Sequence, residues 1–365
     1  MTILGPALSQ SLVLNDKVAS ALDYARRYRD ARAEAMRMSI ETRHKIARVY
    51  EQAAEEAARV VRDGLERWLS TLTTDRWESL ASQLKSAANG LSAGTEREGI
   101  ALIKQTASLF PEIDADYLSR IAKLAGADRL TKAGFDRMVS GISNRVVESM
   151  VTRMWSDGYT FSERVWGGVQ SDWYERVRMT ISGGIAQGRD PIKIARDIQV
   201  YTVGGKEALL GRWGGLIPGT AQYAKRIPGR IDWRAMRAVR SELNASLQDA
   251  GLMAGEANPG ATGEYDWILQ NGRLHYNCEC EDLAAGGPYA ADDIPSYPHP
   301  NCSCSVRPRL RDQKAFLADL KRWAHGEDVD YIDKWYRGTF KPAAENGLYV
   351  PRVFNRVYYA EVVEA

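Results

Sequence analysis

All four cysteines of this 365-residue chain, Cys278, Cys280, Cys302 and Cys304, fall within 27 consecutive residues. Disulfide-stapled secreted proteins spread their bridges along the chain, so this clustering predicts one compact site instead. The segment reads Cys278-Glu-Cys280, then 18 residues, then His299-Pro-Asn-Cys302-Ser-Cys304. Zinc is held tetrahedrally by thiolate and imidazole ligands. Two Cys-x-Cys elements brought together supply four thiolates, or three thiolates and His299. Pro295, Pro298 and Pro300 restrict the backbone before the second pair, and a single metal closing a loop of this length stabilises a segment with little core of its own. Structural zinc, reduced thiols and disulfides all fit these residues, and four cysteines allow three pairings. Both pairs are one residue tighter than the familiar Cys-x2-Cys knuckle.

Around that segment the pattern is helical. Ile46, Val49, Tyr50, Ala53, Ala57, Val60, Val61, Leu65 and Trp68 recur at spacings of three and four, with Glu55, Glu56, Arg59, Arg62 and Asp63 on the opposite face. Leu14, Val18, Leu22, Ala25 and Tyr28 form a similar stripe one helix earlier. The run from Ala87 to Gly94 and the pair Phe110-Pro111 predict breaks. Asp190-Pro191 starts a short helix reaching Tyr201, and the seven glycines and two prolines between Tyr201 and Gly229 predict a long loop. Asp232 caps a further helix carrying Trp233, Met236, Val239, Leu243, Leu247 and Ala250, with Gly251 as its stop. Tyr265 to Leu269 and Leu274 to Tyr276, joined by Asn271-Gly272, predict a β-hairpin.

The tail has a helix from Phe316 to Trp323 and further aromatics at Trp335, Tyr336, Phe340, Tyr349, Phe354 and Tyr358. It reads either as a docking segment or as elements packed on their own domain. The expected fold is mainly α, with a small β-hairpin and loop module organised by the cysteine and histidine cluster. Three regions follow: a helical region over 1–140, a domain over 141–310 containing the cysteine-rich module 260–310, and a docking tail over 311–365.

Charge narrows the function. Lysine and arginine number 49 against 47 acidic residues, a net charge of +2, which argues against a protein that coats nucleic acid by bulk charge. Residues 1–140 hold 21 basic and 19 acidic residues. The uncharged stretch Met1 to Asn15 is too short and polar to span a bilayer and lacks a basic n-region, so a chain without a membrane segment, made and kept in a cytoplasm, is expected.

One basic stripe stands out. From Lys206 to Arg240 there are eight basic and two acidic residues, including Lys206, Arg212, Lys225, Arg226, Arg230 and Arg234, with Trp213, Tyr223 and Trp233 interleaved. Such a stripe can follow phosphates and stack on bases, which makes double-stranded DNA a candidate partner. Residues 231–310, with 6 basic and 11 acidic residues, do not continue it.

Catalytic sets are not found. A zinc deaminase carries His-x-Glu ahead of Pro-Cys-x-x-Cys, whereas His275 is followed by Tyr276 and Asn277. The chain has no His-Glu-x-x-His, Gly-x-Ser-x-Gly or phosphate loop. His44 and His325 read as surface residues. A binding protein, not an enzyme, is expected.

Tyr297-Pro-His-Pro-Asn-Cys-Ser-Cys304 resembles the Pro-x-His-Pro-Asn-Cys-Arg-Cys signature of the phage head morphogenesis family, the Mu F-like minor head proteins. Arg240-Ser241-Glu242, followed by Asn244 and Ala245, is similar to that family's upstream helical Arg-Thr-Glu. Gly188-Arg-Asp-Pro-Ile-Lys-Ile194-Ala195 is similar to its Gly-x-(Ser/Asp)-x-x-x-Ile-Ala pattern. The three features occur in the family's order over about 140 to 310. Two positions depart from it: Ser303 stands where the arginine is usual, and the first pair is Cys-x-Cys. The resemblance implies a low-copy virion component, present in the host cytoplasm during assembly, whose partners are the portal protein, the major coat protein or both. Arg240 and Glu242, two residues apart, face different sides of a helix. Each is expected either to brace the cysteine loop through charge-assisted hydrogen bonds or to be an exposed charge.

Overall fold

A computed structural model of the chain describes residues 21–67, 74–168, 173–186, 193, 233–269, 279–295, 302, 304–347 and 349–354. From Ala21 the two expected stripes share a single 47-residue helix, α1 (Ala21–Arg67), while Leu14, Val18 and Trp68 lie outside the described residues. The sequence divides it into two stripes. The residues between them, Arg29 to Lys45, contain no glycine or proline and are rich in alanine, arginine, glutamate and methionine, so nothing interrupts the helix.

Helix α2 (Thr74–Thr106) also passes through its expected break. A Cβ on Gly94 would stand 2.5 Å from Val49 Cγ1, and one on Gly99 would stand 2.6 Å from the Phe161 ring. These glycines serve close helix packing and do not end the helix. The break at Phe110-Pro111 is real: α3 (Leu109–Ala125) starts there with Pro111 in its first turn. It ends at Gly126, whose φ of +69° lets its N–H reach the carbonyls of Ala122 and Lys123. Then come α4 (Lys132–Thr152), α5 (Phe161–Gly168), α6 (Glu175–Ala186) and α7 (Trp233–Glu256). The short helix expected after Pro191 and the glycine-rich loop lie outside the described residues, apart from Lys193.

Helix α7 runs past Gly251. A Cβ there would be 3.1 Å from the Val306 carbonyl oxygen, and one on Gly255 would be 2.7 Å from the Tyr265 ring. The two glycines flatten one side of the helix so that a sheet can lie against it. That sheet has three antiparallel strands in the order β2-β1-β3: β1 (Ala261–Ile268), β2 (Tyr289–Ala290) and β3 (Ser305–Leu310). Tyr265 pairs with both Tyr289 and Pro308, and the register shifts between Ala261 and Tyr265, where Gly263 has a φ of +86°. Asp266 accepts from Arg307 at 2.9 Å and Arg309 at 2.6 Å across the β1–β3 pair. The expected hairpin strand Leu274 to Tyr276 lies outside the described residues. The fold is mainly α, with this small sheet beside the cysteines.

Helix α8 (Cys280–Gly286) precedes β2, and α9 (Gln313–Ala324), α10 (Asp330–Trp335) and α11 (Lys341–Asn346) follow β3, with a π-helical turn between the last two. Asp312 caps α9 by accepting from the Ala315 N–H at 2.9 Å.

The chain divides into two compact units, each assembled from separated segments. Unit 1 comprises residues 1–36, 103–152 and 243–365; unit 2 comprises 37–102 and 153–242. In unit 2 the core includes Ile46, Tyr50, Leu80, Leu84, Leu91, Phe161, Val165, Val177 and Val239. In unit 1 Phe316, Trp323, Trp335 and Phe340 are buried with the rest of the core. Phe340 lies 4.8 Å from the Phe135 ring centroid, and Trp335 donates to the Ala257 carbonyl at 2.7 Å. Each fully buried ring of this kind stabilises by about 1.5–3 kcal/mol. The described part of this stretch therefore packs on its own unit. Among the described residues, no helix is long and apolar enough to cross a membrane.

Candidate metal centre

Strand β3 begins at Ser305, immediately after Cys304, so Cys302 and Cys304 lie on the approach to a strand that pairs with β1. Cys280 is the first residue of α8. The three side chains are buried, and their Sγ atoms all lie within 4.8 Å of one another. Cys280 and Cys302 are 3.5 Å apart at sulfur, well beyond the disulfide bond length of about 2.05 Å. All three are free thiols. A tetrahedral centre with metal–sulfur bonds near 2.3 Å places its sulfurs about 3.8 Å apart, so these three cysteines could hold a metal ion.

Without a cation the cluster favours neutral thiols. Cys280 is raised far above an ordinary thiol by hydrogen bonding with Cys302 and Cys304 and by burial. Cys302 is lowered by its bond with Cys280, but the hydrogen bond with Cys304 and burial outweigh this and push it up to about 12. Three thiolates in so small a buried volume repel one another, and a cation at their centre reverses the balance by favouring the charged form. Cys278 and His299, the other two expected ligands, lie outside the described residues.

Asn244, two residues beyond Glu242, holds the cysteine segment. The Asn244 side-chain amide donates to the Cys302 carbonyl, and the Asn244 Oδ1 accepts from Arg32 of α1. Glu242 does something else. It is fully buried, and its carboxylate accepts from Arg153 and, at 2.9 Å, from Trp155 Nε1, all three within unit 2. It is not an exposed charge. Arg240 is half-buried. His44 and His325 are on the surface, as expected.

Unit 1 also contains a buried carboxylate that sequence reasoning missed. Asp114 of α3 accepts from Tyr24 at 2.8 Å, from Asn258 at 2.6 Å and from Tyr28. Burial pushes its carboxyl up to about 6, against the opposing pull of these hydrogen bonds. The available signal was positional: Asp114 occupies the same helical stripe as Phe110, Ile113, Tyr117, Leu118 and Ile121, all buried. An acidic residue at such a position needs donors.

Of the candidate DNA-binding residues, Lys206, Arg212, Lys225, Arg226 and Arg230 lie outside the described residues, and Arg234 falls in the first turn of α7. No protein-family model, curated protein or solved structure matches the chain.

Proposed function

We propose that this chain is a minor head protein of a tailed bacteriophage, a low-copy virion component that acts by binding the portal or coat protein, and that its cysteine cluster is a structural zinc centre. One observation carries the reading: two of the three sequence features that resemble the head morphogenesis family meet through a hydrogen bond. Asn244, two residues beyond Arg240-Ser241-Glu242, donates to the carbonyl of Cys302, 58 residues away in the His-Pro-Asn-Cys-Ser-Cys segment. A shared motif pair has a physical reason to occur together when one motif positions the other.

Cys280, Cys302 and Cys304 would hold the zinc, with Cys278 and His299 as the sequence's candidates for the remaining position. The metal supplies a crosslink. Joining residues 22 apart, as Cys280 and Cys302 are, stabilises by about 3 kcal/mol if loop closure behaves as it does for a disulfide. That is enough to fix the short β2 and α8 elements against β1.

The test is quantitative mass spectrometry of purified virions of the phage that encodes the chain, counting copies against the major coat protein. A low, fixed number per particle is expected. Absence from particles would overturn the virion assignment and favour a packaging factor that uses the basic stripe 206–240.

A further inference from the structure

The cysteine cluster is backed by a hydrogen-bond chain that begins on a distant helix. Asn244 is 3% exposed and Arg32 is 3% exposed. Arg32 Nη2 donates to Asn244 Oδ1, and Asn244 Nδ2 donates to the Cys302 carbonyl. An arginine side chain offers only donors, so it must face the amide oxygen, and this turns the amide NH2 toward the cysteine segment. Asn244 is thus held from both sides. The Cys302 carbonyl, pinned in turn, fixes the backbone from which the Cys302 thiol points toward Cys280, 3.5 Å away at sulfur. Charge acts in the same direction. A divalent cation with three thiolates carries one excess negative charge, and Arg32 contributes one positive charge along the same chain.

We propose that Arg32 and Asn244 are the positioning residues of a site for a thiophilic divalent cation at Cys280, Cys302 and Cys304. Asn244 sets the backbone of Cys302 before metal binds, and Arg32 orients Asn244 and offsets the charge of the loaded site. Occupancy of the site is thereby linked to helix α1, the source of Arg32. This inference rests on the reading of the cluster as a metal centre.

The experiment uses the reduced full-length chain, with zinc affinity read by competition against a chromophoric chelator and thiolate-to-cobalt charge-transfer absorption read on loading with cobalt(II). Asn244→Asp keeps the shape and the acceptor for Arg32 but removes the NH2 donor; Arg32→Gln keeps a donor but removes the charge. Cys302→Ser is the control. Wild type should bind zinc, and Cys302→Ser should lose that binding. Asn244→Asp should weaken zinc affinity about 10–100-fold and alter the cobalt band, as outer-sphere hydrogen bonds to metal ligands do. Arg32→Gln should weaken affinity in the same direction.

A role confined to packing would lower the melting temperature of the metal-free variants while leaving zinc affinity and the cobalt spectrum as in wild type, and that result overturns the proposal. If Asn244→Asp fails to fold, Arg32→Gln decides by the same two readouts. Failure of the parent reading looks different: wild type takes up neither metal, or Cys302→Ser binds as tightly as wild type.

Discussion

Replacing Asp114 with asparagine tests how this fold accommodates a carboxyl group it buries. Asp114 is 1% exposed and accepts from Tyr24, Tyr28 and Asn258. Two effects compete there. Burial raises the carboxyl, while the hydrogen bonds from Tyr28, Asn258 and Tyr24 and the Arg27 guanidinium lower it; burial wins, and the group sits at about 6 against an ordinary 3.8. Between those values the folded protein holds a proton that the unfolded chain has lost. The contribution of Asp114 to stability is therefore fully present below about 3.8 and is lost as pH rises through about 6. The slope is about 1.4 kcal/mol per pH unit and the total about 3 kcal/mol. Asparagine does not titrate. The stability of Asp114→Asn relative to wild type should therefore rise by about 2 kcal/mol between about pH 4.5 and about pH 7.5. Urea unfolding of both proteins at each pH measures this, and the subtraction cancels every other carboxylate. A constant or falling difference would refute the reasoning, because it would mean that three donors hold the carboxylate ionised more strongly than burial neutralises it.

Further outcomes are expected from the glycines, the buried ion pair and the cysteines. In Gly255→Ala the new Cβ would lie 2.7 Å from the Tyr265 ring and 2.8 Å from Pro308 Cβ, costing about 1–3 kcal/mol. Gly90→Ala, with nothing within 4 Å, should stabilise α2 by about 0.5–1 kcal/mol; thermal melts that move both variants the same way would contradict this account of the glycines. Glu242→Gln takes the Glu242 carboxylate away from the buried Arg153 cation and should cost about 3–5 kcal/mol in urea unfolding. Cys302→Ser should open protease sites within 260–310 while far-ultraviolet circular dichroism keeps the helical signal, and unchanged cleavage would count against the cysteines as an organising element. Zinc loading near neutral pH should release at least the protons of the raised Cys280 and Cys302 thiols; calorimetry in two buffers of different ionisation enthalpy that shows no proton release would contradict their neutral metal-free state.

Helices were legible where apolar residues recur at helical spacing, and their ends were legible only where proline intervened. Pro111 marked a true start. Gly94 and Gly251 suggested ends where α2 and α7 continue. A glycine looks the same in sequence whether it supplies a positive φ or a missing Cβ, and the difference appears only when Val49 or the Val306 carbonyl is found against it. The units were harder still. Texture changes along the chain mark segments, whereas unit 1 draws on three stretches separated by about 70 to 90 residues, and nothing local in a sequence records which distant helix will pack. The cysteine cluster was legible because its chemistry is carried by a rare residue type, and three of the four thiols are found together.

Asn244 shows why the support of that cluster was less visible than the cluster itself. Amphipathic reasoning assigns polar residues on a helix to the solvent side, which would make Arg240 and Glu242 notable for their charge and Asn244 unremarked. Helix α7 does not have a solvent side at this level: Ser241, Glu242, Asn244, Ser246, Gln248 and Asp249 are all buried, together with Leu243, Leu247 and Leu252. Residues two apart on a helix point about 200° from each other, so Glu242 and Asn244 serve opposite faces. Glu242 meets Arg153 and Trp155, and Asn244 meets Arg32 and Cys302. Each buried polar group must find a partner or cost free energy, and a helix enclosed around its circumference has no water to supply one. Its polar residues therefore act as connectors: Glu242 belongs to a buried ion pair with Arg153, and Asn244 to the support of the cysteine segment.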